Sequence, residues 1–498
     1  MTNMTNMSNM TNMTNGKEQQ SQPGPRDGKG EGRLIDRSWR SWHRSWHRAS
    51  RPLAAAVLPL LLVLLLPLLF SGCARRDDWI AFRGEGGRGH TANPMPPPLG
   101  VRWKLQLQTD QMRAFAFNNL VIKDNVMYFG STDGNFYAMD IETGYMRWVF
   151  KTGAPVNSIP YADDEYVYFG SNDGHAYAVS QEDGKELWRF QTGRTVQSTV
   201  LRHKDYIIFS SDGGGTHFLN PEGELVHEIP NPIWHRDSFQ VYDDVIYFAR
   251  GPITNPRTLG AYDLNSRDYH WLLPDEIMDA TWYSFPAVTD QRVFMATSRS
   301  RGELWEYRHY ALNRRTGHIE WVHRAESRWG ADRPRNLFLE FREKLNILDF
   351  QAPAVWRNHV IVTGGDNVVR ALDARSGEKV WERQFSRRTS SAPTVAGDRV
   401  YVGLHGEDMS PQPQQQQPSP GFTARTVSRI DEAPRTVSVE EEIEPRPPRL
   451  VALSARNGRV IWELEIEGAI LSPPVFAGRW VVFGTDRNYV YVLERVVG

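Results

Sequence analysis

The chain of 498 residues repeats itself with a period of forty residues. Residues 126–152 read VMYFGSTDGNFYAMDIETGYMRWVFKT and residues 166–192 read YVYFGSNDGHAYAVSQEDGKELWRFQT, so that Trp148 is followed by Trp188. Apolar residues alternate at β spacing in each copy, and the Asp-Gly pairs at 133–134 and 173–174 predict two-residue hairpin turns. Residues 156–160 are predicted as a fourth strand that leads into the next copy. A four-stranded unit of ~40–45 residues is typical of a β-propeller blade.

The number of blades follows from a pattern in which alanine, a small polar or acidic residue, glycine and tryptophan stand at fixed spacing. Degraded copies occupy 261–271 and 218–227, while Trp103 begins the series and residues 480–492 end it. The eighth copy is therefore split, and pairing its halves would close the ring and remove two open sheet edges. We predict an all-β, eight-bladed β-propeller of four-stranded antiparallel blades over residues 102–498. Complete copies of the pattern are Ala138/Asp140/Gly144/Trp148, Ala178/Ser180/Gly184/Trp188, Ala311/Asn313/Gly317/Trp321, Ala371/Asp373/Gly377/Trp381 and Ala452/Ser454/Gly458/Trp462.

The sequence before the propeller is typical of a targeting segment and not of a folded domain. Residues 1–36 are low in complexity and predict a disordered extension. Residues 37–72 join an arginine-rich flank to an apolar run at 53–70, which is typical of a signal peptide. Residues 73–101 are then expected to form a tether and a lead-in to the propeller.

Cys73 is the only cysteine of the chain and ends the text Phe70-Ser71-Gly72-Cys73, which resembles a bacterial lipobox. We expect Cys73 to be lipidated, with palmitate among the acyl chains, and to anchor the protein to a membrane. The alternative is an uncleaved anchor that ends in a cysteine by chance. Both interpretations place the propeller beyond the cytoplasmic membrane, because the arginines stay inside. We expect the propeller in the periplasm, with the outer membrane favoured.

The repeat resembles that of the pyrroloquinoline-quinone (PQQ)-like propellers, through the text Y-F-G-S-x-D-G-x-x-Y-A-x-D-x-x-T-G-x-x-x-W. Residues 79–84 (WIAFRG) also resemble the lead-in W-x-x-F-R-G that precedes many such propellers. With a lipidated cysteine added, the chain is similar to the BamB family, lipoproteins of the outer-membrane β-barrel assembly machinery. It departs from that family in its long N-terminal extension and in two large insertions.

Composition and motifs exclude several function classes. Lys and Arg number 58 and Asp and Glu 59, and no basic block follows the signal region, which argues against nucleic-acid binding. A single cysteine excludes an intramolecular disulfide and any Cys-rich metal or redox site. Neither a nucleophile motif nor a phosphate-binding glycine loop is present. We therefore assign no catalytic residue, no metal ligand and no cofactor.

The resemblance also implies an alternative function, that of a PQQ-dependent dehydrogenase. Such enzymes hold their quinone over calcium on the propeller axis and commonly stack it on adjacent cysteines. Adjacent cysteines are absent here, and Cys73 precedes the propeller. The repeat aspartates, such as Asp133 and Asp173, are interpreted as caps of turn backbone. The recurring tryptophans are interpreted as packing between blades, at positions 103, 148, 188, 271, 321, 381 and 462.

The irregular segments all fall on one face of the propeller, because turns alternate between faces in an antiparallel meander. Residues 407–448, rich in Gln and Pro, interrupt a second-to-third strand turn, and residues 251–258 and 299–307 lengthen two others. Residues 323–346 form a long crossover between blades. This crossover mixes aromatic residues with arginines, as binding hot spots do, although local packing is the alternative. The candidate partner-binding residues are Trp329, Arg333, Arg335, Phe338, Phe341 and Arg342.

The sequence therefore favours a non-catalytic, membrane-anchored lipoprotein whose propeller is a scaffold for protein–protein interaction. By resemblance, its partners are cell-envelope proteins, the β-barrel assembly machinery or its unfolded clients, engaged through exposed strand edges. The alternatives are a PQQ-dependent or degenerate quinoprotein dehydrogenase and a carbohydrate- or envelope-binding module.

Overall fold

The computed structural model describes residues 78–107, 120–212, 215–230, 238–250, 258–274, 282–301, 304–327, 352–364, 367–406, 447–470 and 472–496. These residues form eight separate β-sheets. The predicted eight-bladed propeller of antiparallel sheets is confirmed. In the described part of the chain, no helix is both long enough and apolar enough to span a membrane.

Each blade except the last is a meander whose main strands are paired in chain order. The short 3-10 helix is Glu85–Gly87, and strands β1 and β2 are His90–Thr91 and Leu99–Gln106. Blade 1 holds β3 Leu120–Lys123, β4 Val126–Gly130, β5 Asn135–Asp140 and β6 Met146–Lys151; blade 2 holds β7 Tyr161–Ala162, β8 Tyr166–Gly170, β9 His175–Ser180 and β10 Glu186–Gln191. Blade 3 holds β11 Leu201–His203, β12 Tyr206–Ser210, β13 Gly215–Leu219 and β14 Leu225–Pro230; blade 4 holds β15 Ser238–Tyr242, β16 Val245–Arg250, β17 Thr258–Asp263 and β18 Asp268–Pro274. Blade 5 holds β19 Trp282–Tyr283, β20 Ala287–Val288, β21 Arg292–Arg301, β22 Leu304–Asn313 and β23 Ile319–Ser327; blade 6 holds β24 Ala354–Trp356, β25 His359–Thr363, β26 Val368–Asp373 and β27 Lys379–Gln384. Blade 7 holds β28 Thr394–Ala396, β29 Arg399–Leu404, β30 Arg449–Ser454 and β31 Val460–Glu465; blade 8 adds β32 Val475–Ala477, β33 Trp480–Gly484 and β34 Tyr489–Arg495 to β2.

Blade 8 closes the ring in the way the split repeat predicts. Its three inner strands come from the C-terminal end, and β2 adds antiparallel to β34, with Trp103 opposite Val492. Eight apolar clusters then join neighbouring blades around the ring. Leu120 packs with Val482 between blades 1 and 8, for example, and Val121 packs with Val167 between blades 1 and 2.

The recurring tryptophans pack between blades, as predicted. The indole N–H of Trp321 in blade 5 donates to the carbonyl of Ala374 in blade 6 at 3.2 Å. Gly377 of the same blade 6 turn has φ +73°, and a Cβ there would lie 2.5 Å from the Trp321 ring. Trp462 has no such turn to meet, because the third and fourth strands of blade 8 come from opposite ends of the chain. The tryptophan–glycine pairs are Trp103/Gly144, Trp148/Gly184, Trp188/Gly223, Trp271/Gly317, Trp321/Gly377 and Trp381/Gly458.

Two local predictions were wrong. The hairpin at 131–134 is not a two-residue turn: the Gly134 N–H donates to the Ser131 carbonyl, and of these residues only Gly134 has positive φ, at 87°. Residues 156–160 are not a strand either, and the strand that enters the next blade is β7, which follows them. The Ser158 hydroxyl bonds both the N–H and the carbonyl of Gly170, at 2.7 and 2.9 Å, and so replaces ladder pairing there.

The blade has two faces, which we name by their connections. The insertion face carries the second-to-third strand turns and the crossovers between blades, and the turn face carries the first-to-second and third-to-fourth turns. Residues 299–307 are not an irregular turn, because β21 and β22 continue to Arg301 and from Leu304. The crossover likewise begins later than 323, since β23 runs to Ser327. The remaining predicted insertions, 251–258 and 407–448, leave from strand ends of the insertion face.

Candidate functional site

Residues 78–98, the lead-in, pass along the propeller axis before the chain enters blade 8. Trp79 exchanges two backbone hydrogen bonds of 2.9 Å with Ile122 in the innermost strand of blade 1. The chain then turns back, and β1 runs parallel to β28, the innermost strand of blade 7. The lead-in thereby contacts inner strands on different sides of the ring. The lead-in, which has no repeat pattern of its own, therefore fills the propeller axis.

Phe82 is the apolar tip of the lead-in. It is 4% exposed, and its ring centroid lies 4.5 Å from that of Phe285. The other members of its cluster are Ile159, Ala352 and Ala392. Each of these four neighbours stands two positions before an innermost strand, so Phe82 closes the axis at the level where those strands begin.

Arg83 holds the lead-in in place. Its side chain is buried, and its Nη2 donates to the carbonyls of Pro353 at 2.7 Å and Pro393 at 3.1 Å. Gly89 must be glycine, because its φ is +58° and a Cβ would lie 2.2 Å from Arg83 Nη2. One guanidinium therefore joins the lead-in to blades 6 and 7. Charge-assisted hydrogen bonds of this kind are about twice as strong as neutral ones.

The axial residues do not fit a quinone held over calcium. Phe82 and Arg83 fill the axis at the level where the inner strands begin, and their neighbours there are apolar side chains, the carbonyls of Pro353, Pro393 and Gly87, and the Gln240 amide. Within the described ranges, no group of three or more His, Cys, Asp and Glu side chains is placed to hold a metal ion.

A buried histidine of blade 5 is influenced electrostatically by Arg370 of blade 6. His309 of β22 is 1% exposed, and neither of its ring nitrogens has a hydrogen-bond partner among the described residues. Burial lowers the pKa of His309 well below its usual value, and the charges of Arg370 and His323 lower it further. The imidazole is therefore neutral at pH 7. Sequence reasoning missed this residue, because a lone histidine in a strand gives no pattern.

A cleft of about 460 Å³ opens on the turn face, with Tyr161, Asp163 and Arg202 in its wall. The Asp163 carboxylate accepts hydrogen bonds from Arg202 and, at 2.8 Å, from the Tyr168 hydroxyl. Burial would raise the pKa of Asp163, but the N–H groups of Tyr166 and Glu165 and the two side chains outweigh it and lower the pKa. The carboxylate is already satisfied within the fold.

The repeat aspartates cap turns, as predicted. Asp173 accepts from the N–H of His175 at 3.0 Å and from the N–H of Gly153 at 2.9 Å. Burial opposes ionisation of Asp173, yet the Tyr177 hydroxyl and these N–H groups lower its pKa. Asp133 likewise accepts from the N–H of Asn135 at 2.9 Å. These carboxylates are structural.

The structure does not test the remaining site predictions. Cys73 lies outside the described residues. The six partner-binding candidates, Trp329, Arg333, Arg335, Phe338, Phe341 and Arg342, lie outside them too. Phe82 and Arg83 belong to the W-x-x-F-R-G text, so a sequence signal for the axial residues was present although it indicated no role.

Comparison with known proteins places the chain in a family. The family described as outer membrane protein assembly factor BamB matches residues 100–236 and 257–411, more than half of the chain. No curated protein matches it. The crystal structure of BamB from Moraxella catarrhalis is similar at 13% identity and a TM-score of 0.53, covering 80% of this chain and 98% of that chain.

Other similar structures include an enzyme and a designed protein. Quinohemoprotein alcohol dehydrogenase from Comamonas testosteroni is 14% identical with a TM-score of 0.56, covering 87% of this chain and 83% of that chain. The computationally designed Ika8 protein is 12% identical with a TM-score of 0.52, covering 77% and 98%. Such structural likeness establishes the fold alone. By the extent of its sequence match, this PQQ-repeat propeller belongs to the BamB family of outer membrane protein assembly factors.

Proposed function

We propose that the protein is a non-catalytic scaffold of the cell envelope, anchored to the outer membrane through lipid on Cys73. Its propeller lies in the periplasm and binds proteins of the β-barrel assembly machinery or their unfolded clients. Membership of the BamB family supports this class of partner.

The filled axis is the observation that carries the proposal. A propeller enzyme of the quinoprotein kind needs its axis for the cofactor, and here Phe82 and Arg83 occupy that position with buried contacts to blades 5, 6 and 7. The lead-in therefore takes up axial space that such a cofactor would need, which supports a non-catalytic role. We therefore assign partner binding to the outer surface of the propeller.

The outermost strands offer that surface. Val149 of β6, Leu187 of β10 and Val380 of β27 are 46%, 46% and 45% exposed, although each is a large apolar residue. Each strand is the last in its sheet, and no strand of the described residues pairs with its outer backbone edge. An extended peptide can add to such an edge by backbone hydrogen bonds and place apolar side chains beside these residues.

Photocrosslinking in the native envelope tests this proposal. A photoreactive amino acid is placed at Val149 or Leu187 of the full chain, and at Arg357 on the turn face as a matched exposed control. We expect a β-barrel assembly protein or an unassembled barrel client to be captured from Val149 and Leu187 and not from Arg357. Cys73→Ser should lose acyl labelling and give fewer of these crosslinks.

Other outcomes would contradict the scaffold. Capture of no envelope protein from the outer strands, together with calcium-dependent dye reduction on addition of PQQ, would favour the dehydrogenase. Retention on glycan resin without a protein crosslink would favour the carbohydrate-binding module.

A further inference from the structure

The third-to-fourth strand turns carry a charge pattern that changes sign around the ring. At the same turn position, two residues before the turn glycine, blades 1 and 2 hold Glu142 and Glu182, and in the shortened turn of blade 3 Glu222 directly precedes the glycine. Blade 4 has a neutral residue, and blade 8 has no such turn. Blades 5, 6 and 7 hold arginine. All seven residues are exposed: Glu142, Glu182, Glu222, Asn265, Arg315, Arg375 and Arg456.

The whole turn face follows the same division. In blades 1–4 its turns hold twelve acidic and three basic residues. In blades 5–8 they hold three acidic and seven basic residues. One half of the face is therefore acidic and the other half basic, although the chain as a whole has a net charge of −1.

We propose that the turn face binds the turn face of a second copy of this chain, related by a twofold axis that runs from blade 4 to blade 8. These blades lie opposite each other in an eight-membered ring. Rotation about that line places blade 1 over blade 7, blade 2 over blade 6 and blade 3 over blade 5 of the other copy. Blades 1–3 of each copy, whose turns are mainly acidic, then face blades 5–7 of its partner, whose turns are mainly basic, while blades 4 and 8 each face their own copy. A twofold interface requires self-complementarity of this kind.

The individual turns match under this rotation. Glu182 of blade 2 faces Arg375 of blade 6, and Glu222 of blade 3 faces Arg315 of blade 5. Glu142 of blade 1 faces Arg456 of blade 7. The neutral Asn265 lies on the axis, where it meets its own copy without repulsion. Each pair occurs twice in the dimer.

The position after the turn glycine supports the same arrangement independently. Lys185 of blade 2 faces Glu378 of blade 6, so that both charges are reversed relative to the first position and remain complementary. Glu224 of blade 3 faces His318 of blade 5. Tyr145 of blade 1, which is 76% exposed, faces Arg459 of blade 7, a combination suited to a cation–π contact.

The pairs in blades 2 and 6 and in blades 3 and 5 are the ones to test. In the described part of the chain, no ion pair within one copy engages the side chains listed here: Glu182, Glu222, Arg315 and Arg375. By contrast, Glu142 already pairs with Arg479 at 2.7 Å, and Arg456 lies 3.9 Å from Asp398. Exposed ion pairs are individually weak, so the association should depend strongly on salt.

Sedimentation of the full chain, purified in a non-ionic detergent, tests the proposal at 50 mM and 500 mM NaCl. We expect a dimer at 50 mM NaCl and a Kd at least tenfold higher at 500 mM. E182R/E222R places arginine opposite arginine at both tested pairs, and R315E/R375E places glutamate opposite glutamate there. Each variant alone should be monomeric, and an equimolar mixture of the two should form a heterodimer. K151E/R383E, which makes the same charge change as R315E/R375E on outermost strands, should dimerise like the wild type.

The heterodimer distinguishes docking from damage to the fold, since two misfolded variants would not restore each other. A wild type that is monomeric at 50 mM NaCl overturns the proposal. So does a dimer that survives both charge reversals, or a mixture of the reversed variants that stays monomeric. The result does not depend on an envelope partner, because the purified chain is measured alone.

Discussion

At the residue scale, the joint between blades depends on a glycine that faces a tryptophan. Gly377→Ala places a Cβ at φ +73° and 2.5 Å from the Trp321 ring, so it combines backbone strain with overpacking. We expect a loss of about 2–4 kcal/mol in the free energy of unfolding, measured by urea denaturation. Gly193→Ala is the matched control, because Gly193 has φ +71° with nothing within 4 Å. It should cost only about 1 kcal/mol, and equal losses would mean that the tryptophan contact contributes nothing.

The tryptophan itself gives the complementary prediction. Trp148→Ala removes a buried indole and should cost about 3–5 kcal/mol. Trp148→Phe keeps most of the packing and removes the N–H that donates to the Gln181 carbonyl at 2.8 Å, at a cost of about 1–3 kcal/mol. Urea denaturation of both variants measures the two contributions. A near-neutral Trp148→Ala would contradict packing between blades.

His309 predicts how stability changes with pH. Its pKa in the folded state lies below the ordinary value of 6.5, so below pH 6.5 the unfolded chain binds a proton that the folded chain does not. Stability is therefore complete above pH 7 and falls as the pH drops, by at most about 1.4 kcal/mol per pH unit for this group. His309→Leu should flatten the stability curve between pH 6.5 and 5, measured by urea denaturation at each pH. A His309→Leu variant with the same slope as the wild type would contradict the assignment.

At the element scale, the lead-in is a structural element of its own, held in the propeller axis by contacts with several blades. Arg83→Met removes the guanidinium that bonds the carbonyls of Pro353 and Pro393, and leaves those buried acceptors unsatisfied. We expect a loss of about 2–4 kcal/mol and faster tryptic cleavage after Arg88, read by mass spectrometry. Arg189→Met changes an exposed arginine paired with Glu186, and should shift stability by no more than about 0.5 kcal/mol. Unchanged cleavage after Arg88 in the Arg83 variant would mean that other contacts hold the lead-in.

Elements differ in how far the sequence alone predicts them. The repeat predicts the blades, their number and the packing of tryptophans such as Trp148 between blades, because each depends on local spacing that recurs. The repeat predicts residues 156–160 wrongly as a strand, because a serine hydroxyl takes the place of the backbone ladder there. It also predicts a two-residue turn at 133–134, whereas the observed turn needs a positive φ only at Gly134. The path of the lead-in depends on contacts with blades far along the chain, such as Arg83 with Pro393, and a single unrepeated segment gives no spacing from which to infer them.

At the scale of the whole molecule, the eight clusters between blades make the ring one cooperative unit. Each blade shares its core with both neighbours, and the cluster between blades 7 and 8 includes Leu99 and Leu493 from opposite ends of the chain. Removing β34 therefore breaks blade 8 and both of its joints. A segment attached outside these clusters has no comparable effect on stability.

Deletion of residues 411–440 tests this division. The deleted segment lies in the 44-residue connection between Leu404 and Arg449, which already pair with each other on adjacent strands. Shortening that connection to 14 residues lowers the entropic cost of bringing its ends together on folding, so we expect a gain of about 1 kcal/mol in the free energy of unfolding. The measurement is urea denaturation in 500 mM NaCl, where association of copies contributes little. Deletion of residues 489–498 is the comparison: it removes β34, leaves β2 and β33 without their shared neighbour, and should abolish cooperative unfolding. A large loss of stability on deleting 411–440 would instead show that this segment packs as part of the propeller.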